Sequence, residues 1–79
     1  MKVKIQLFGL LGLKLPEYNK PEGVEIELPD GSTAGDLLKH LKIPEDWGPA
    51  VTMNNRLLKH NDTISDGADI YIIQAVHGG

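Results

Sequence analysis

An α+β fold, one sheet with a single main helix laid across one face, is what this 79-residue sequence predicts. Three observations predict it. Two early runs, KVKIQLF and VEIEL, alternate apolar with charged or polar residues, the period-two pattern of half-buried strands. The run TAGDLLKHL changes to apolar residues spaced i, i+3, i+4 and i+7, the stripe of a short amphipathic helix. After two short strand-like stretches and a turn region comes a last apolar run, DIYIIQAV, so the expected order is β-β-α-β-β-β.

In the first strand Val3, Ile5 and Leu7 face the core, and Lys2, Lys4 and Gln6 face solvent. The second strand puts Val24, Ile26 and Leu28 on one side and Glu25 and Glu27 on the other, so opposite charges are set to pair across the two strands. Between them, residues 9–23 are rich in Gly and Pro and read as a long irregular connection. Pro29-Asp30-Gly31 reads as a turn. Thr33 is then a good helix N-cap, with Asp36 at the third helical position, where its carboxylate can reach back to free amides. Ala34, Leu37, Leu38 and Leu41 form the buried stripe, and Pro44 stops the helix. Asn54-Asn55 supplies the positive φ of a tight hairpin. In the last strand Ile70 and Ile72 are assigned to the helix-facing side. Tyr71 and Ile73 then lie on the other face and are also apolar, so that face expects a cover, and a partner protein is the favoured one. Phe8, beside the first strand, extends the same patch.

Composition narrows the function classes. The absence of cysteine excludes a disulfide framework, a thiolate nucleophile and a cysteine-ligated metal from this chain. The net charge of −3, without a basic run, disfavours a nucleic-acid or anionic-membrane surface. Neither a signal peptide nor a membrane span is visible, and a cytoplasmic location is the expectation. The three histidines, His40, His60 and His77, have no spaced partners and read as solvated rather than metal-binding. Asp30, Asp36, Asp66 and Asp69 sit at turns and the helix start, where Asp forms local hydrogen bonds. Trp47 reads as a cap on one end of the core, with an exposed recognition tryptophan as the alternative. No nucleophile, base and orienting group form a recognisable arrangement, so an enzyme in its own right is the least favoured class.

The opening VKIQLFG, the stretch LPDGSTAGDLLKHL and the closing ISDGADIYIIQAVHGG, taken in order, resemble the ubiquitin-like β-grasp proteins of the MoaD/ThiS sulfur-carrier family over nearly the whole chain. The Val76-x-Gly78-Gly79 ending is closer to the small subunit of molybdopterin synthase than to the shorter thiamin carriers, although Gln74 and Ala75 stand where many molybdopterin-type members carry proline. The resemblance implies a mixed sheet of about four to five strands, a β-grasp domain over residues 1–76, and a flexible tail over 77–79. It also implies that the Gly79 carboxylate is adenylated by an E1-like enzyme of the MoeB/ThiF type using ATP, then converted to a thiocarboxylate. The sulfur would pass to the large synthase subunit or another accepting enzyme, in molybdopterin or tungstopterin synthesis.

That role fits the residues. An α-carboxyl group has a reference pKa well below neutrality, so Gly79 would present an ionised oxygen without help. Gly78 and His77 are the expected tail-access residues, and a Cβ on either of the last two residues, Gly78 or Gly79, would meet the walls of a narrow partner site. Phe8, Tyr71, Ile73, Ala75 and Val76 are the expected partner-binding residues; no metal, catalytic residue or bound cofactor is expected in the chain. Other carrier pathways, a protein modifier joined to lysines through Gly79, and a β-grasp interaction module remain the alternatives.

Overall fold

The computed structural model describes residues 1–74. Five strands form one mixed sheet: β1 (Lys2–Gly9), β2 (Val24–Glu27), β3 (Ala50–Met53), β4 (Arg56–Leu58) and β5 (Asp69–Gln74), in the order β2-β1-β5-β3-β4. The last strand is central. It runs parallel to β1 and antiparallel to β3, while β1–β2 and β3–β4 are antiparallel neighbours. The main helix, α2 (Ala34–His40), supplies one covering layer, and a one-turn helix, α1 (Leu11–Lys14), follows β1.

The core forms where the period-two faces of the strands meet the helical stripe. Val3, Ile5, Leu7, Ile70 and Ile72 pack with Ala34, Leu37, Leu38 and Leu41, all buried. Burying a large aliphatic side chain stabilises by about 1.5–3 kcal/mol, so this set dominates the fold. Residues 9–23 depart from the irregular connection expected. They contain α1 and a 3-10 turn at Pro16–Tyr18, and Leu11 is completely buried in the core. A Gly- and Pro-rich stretch hides such an anchor because one buried leucine carries no periodicity.

Helix α2 starts as its sequence dictates. The Asp36 N–H donates to Thr33 Oγ1 at 3.2 Å and the Thr33 N–H donates to Asp36 Oδ2 at 3.0 Å, a reciprocal capping box. The Thr33 backbone N–H above all, and its hydroxyl after it, hold the Asp36 carboxyl below its ordinary value of 3.8. A carboxylate depressed in the folded state adds stability above that ordinary value and loses it as pH falls through the lower folded value. Asp36→Asn should therefore lower the melting temperature at neutral pH and flatten the acid side of the profile, the two proteins converging as pH falls through the folded value. Parallel acid limbs in the two proteins would contradict it.

The other turns follow the same local chemistry. Asn54 and Asn55 take positive φ values of 51° and 71° in the β3–β4 hairpin, as the primed turn requires. Asp66 accepts the Lys2 N–H at 2.8 Å, and Asp30 lies 3.2 Å from the Met1 ammonium. The charge pairing expected between β1 and β2 is present as Lys2 with Glu25, 3.9 Å apart and exposed, and contributes little. Among the described residues, no helix is long and apolar enough to cross a membrane.

Candidate functional site

Five of the residues singled out from the sequence, Ala75, Val76, His77, Gly78 and Gly79, lie outside the described residues. The other three, Phe8, Tyr71 and Ile73, come together. Because side chains alternate along a strand, burying Ile70, Ile72 and Gln74 turns Tyr71 and Ile73 to the opposite face of β5, where each is 38% exposed. The parallel register sets Phe8 beside Ile73 and Gln6 beside Tyr71. The Phe8 and Tyr71 rings meet edge to face, with centroids 5.3 Å apart, a geometry favoured by the aromatic quadrupoles.

On the far side of β5, Ile73 pairs with Ala50 and Tyr71 with Thr52; Thr52 in turn pairs with Leu57. Leu57 is 67% exposed, and the sequence reading missed it. The hairpin register fixed by Asn54-Asn55 would have found it, since counting outward from that turn sets Leu57 opposite Thr52. The result is an apolar band across β1, β5, β3 and β4. The charged residues Lys2, Lys4, Glu25 and Glu27 occupy the other end of β1 and its partner β2. A flat apolar band of this kind suits a protein surface better than a small molecule, which favours a concave site.

The band lies at the end of β5 from which residues 75–79 continue. That root is crowded. Gly9 has φ +68°, and a Cβ there would collide with the Gln74 carbonyl oxygen, so only glycine lets the chain turn so close to β5. The Leu10 N–H points at the same oxygen, 3.4 Å away. The Gln74 side chain is 6% exposed and donates from Nε2 to the Trp47 carbonyl at 2.9 Å. Trp47 ends a 3-10 turn (Glu45–Trp47) and packs against the core, with Lys14 Nζ 4.1 Å from its ring centroid. Of the two readings of Trp47, the core cap describes its position.

Among the described residues, no three His, Cys, Asp or Glu side chains are close enough to hold a metal ion. His40 is exposed at the end of α2. His60 does have an acidic partner, contrary to the sequence reading: its Nδ1 lies 3.2 Å from Glu45 Oε1. The two are brought together only by folding, because Glu45 comes from the turn after α2.

The sequence profile of the ThiS family matches residues 13–79, from α1 through the Gly-Gly pair. The chain belongs to the ThiS family. No curated protein matches this ThiS-family chain in sequence. Solved structures do match its fold. A Pyrococcus furiosus protein provisionally named molybdopterin converting factor, subunit 1, is 22% identical, covering 96% of this chain and 99% of its own, with a TM-score of 0.73. Small archaeal modifier protein 1 of Haloferax volcanii is 16% identical over 95% of this chain and 98% of its own, with a TM-score of 0.73. A ubiquitin of Caldiarchaeum subterraneum is 24% identical over 100% and 98%, with a TM-score of 0.62. At these identities the likeness establishes the fold, a ubiquitin-like β-grasp. Membership of the family makes this a small protein of the ThiS/MoaD sulfur-carrier class, whose members generally work with E1-like enzymes and sulfur-accepting partners.

Proposed function

We propose that the protein is a sulfur carrier whose Gly79 carboxylate is activated by an E1-like adenylating enzyme and converted to a thiocarboxylate. The chain is the substrate of this chemistry, and its partner supplies the catalysis and binds the ATP. The carboxylate oxygen attacks the α-phosphorus of ATP, pyrophosphate leaves, and an acyl-adenylate forms. A sulfur nucleophile then attacks the carbonyl carbon, and AMP departs with the original oxygen. With sulfide as the nucleophile this leaves the thiocarboxylate directly; with a persulfide it leaves an acyl disulfide, whose S–S bond a thiol then cleaves, releasing the thiocarboxylate and carrying the donor sulfur away as a disulfide.

The observation that carries this reading is the family match running through Gly78 and Gly79. The apolar band of Phe8, Tyr71, Ile73 and Leu57 supports it, because docking energy is needed to offset the entropy of ordering a short glycine-ended segment in the partner's site. Ala75 and Val76 would continue this contact, and His77 and Gly78 would thread the access path. The receiving pathway we assign is molybdopterin or tungstopterin synthesis, with the large synthase subunit as acceptor. The Val76-x-Gly78-Gly79 ending and the shared fold of the Pyrococcus furiosus protein support that assignment.

The test is intact mass. With ATP, the adenylating enzyme and a sulfur source, the chain should gain the mass difference of one sulfur for one oxygen, mapped to Gly79. With no cysteine in the chain, a persulfide cannot imitate that gain. Conjugates in cells that survive boiling and thiols, with Gly79 in an amide bond to lysine and never a thiocarboxylate under sulfur-replete conditions, would replace the carrier with a protein modifier.

A further inference from the structure

We infer that Gln74 is a positioning residue that fixes the end of β5 to which residues 75–79 are joined; its consequence for adenylation rests on the carrier reading above. Gln74 occupies a core-facing position of β5 that alternation reserves for an apolar side chain, as Ile70 and Ile72 do at the two preceding core positions. Its amide donates to the Trp47 carbonyl at 2.9 Å, while its Oε1 is buried without a partner among the described residues. A buried acceptor left unpaired costs free energy, and an apolar side chain of the same shape would avoid that cost. Stability alone therefore does not account for an amide at this place.

What the amide does provide is a tether. It ties the last described residue of β5 to the turn at Glu45–Trp47, on the side of the sheet that α2 covers. The main chain of the same residue is gripped from the other flank, where Gly9 and Leu10 crowd its carbonyl oxygen. Lys14 on the Trp47 ring ties α1 to the same turn, so two stretches distant in sequence, residues 9–14 and 45–47, converge at the end of β5. That strand end is the fixed point for the reacting end. Five residues span at most about 18 Å, so where Gln74 is held limits where the Gly79 carboxylate can reach. If β5 frays back to Ile73, the fixed point moves back by one residue, beside the docking band.

The experiment compares the wild type with Gln74→Met, which keeps length and packing and deletes both amide atoms. The free chain is examined first. Hydrogen exchange at the Leu10 amide should accelerate, and backbone relaxation at Ile73 and Gln74 should show added motion, with an unchanged melting temperature. Unchanged exchange and relaxation would overturn the clamp. Partner-dependent ATP–pyrophosphate exchange is measured next: kcat should fall by about tenfold or more while KM stays within a factor of about two, because docking is intact and only the approach of the carboxylate is disturbed. A loosened strand end with an unaltered kcat would overturn the positioning role. Should the wild type itself support no exchange, the carrier reading fails, and the measurements on the free chain still decide the clamp.

Discussion

Deletion of Gly79, or addition of one residue after it, is expected to abolish ATP–pyrophosphate exchange with the adenylating enzyme while leaving the melting temperature unchanged. Folding is untouched because every buried apolar side chain among the described residues lies between Val3 and Ile72. Activity is lost because one residue more or less moves the carboxylate by about 3.3–3.6 Å, as large as the separation at which reacting atoms must be held. Glycine at 78 and 79 also leaves no side chain to be accommodated beside the nucleotide. Exchange that persists after either change would show that the reacting group is not the Gly79 carboxylate.

Ile73→Asp is expected to weaken binding to the adenylating enzyme by about 2 kcal/mol or more, roughly 30-fold in Kd, with little loss of stability. Ile73 is 38% exposed on the face that α2 does not cover, between Phe8 on β1 and Ala50 on β3. A charge there faces water in the free protein and an apolar partner surface in the complex, so the desolvation cost falls on the complex. The same change at Ile72, fully buried on the other face, should unfold the protein. That contrast makes the pair a control for each other. Titration calorimetry with unchanged affinity for the Ile73 variant would remove the band from the docking surface.

Elements whose information is local were legible before folding. The alternation Val3, Ile5, Leu7 sets the face of β1, and Tyr71 and Ile73 follow from Ile70 and Ile72 by parity alone. Thr33 and Asp36 write the start of α2 within four residues, and Asn54-Asn55 writes the hairpin. The exposed apolar band could be foreseen for the same reason: period-two patterning tells which residues share a face without telling which strands are neighbours.

The sequence by itself therefore determined the five strands and the main helix, the buried and open faces of the sheet and, through its family, the class to which the protein belongs. Only the tertiary structure decided that β5 enters the middle of the sheet parallel to β1, joining Phe8 to Ile73. It also decided that Leu11 reaches the core from a Gly- and Pro-rich stretch and that Gln74 ties its amide to Trp47. Each of these contacts joins segments far apart along the chain, by packing or by a hydrogen bond to a backbone group. Such pairings leave no periodic trace in the sequence, because their free energy comes from burial and geometry that exist only once the distant segments have met.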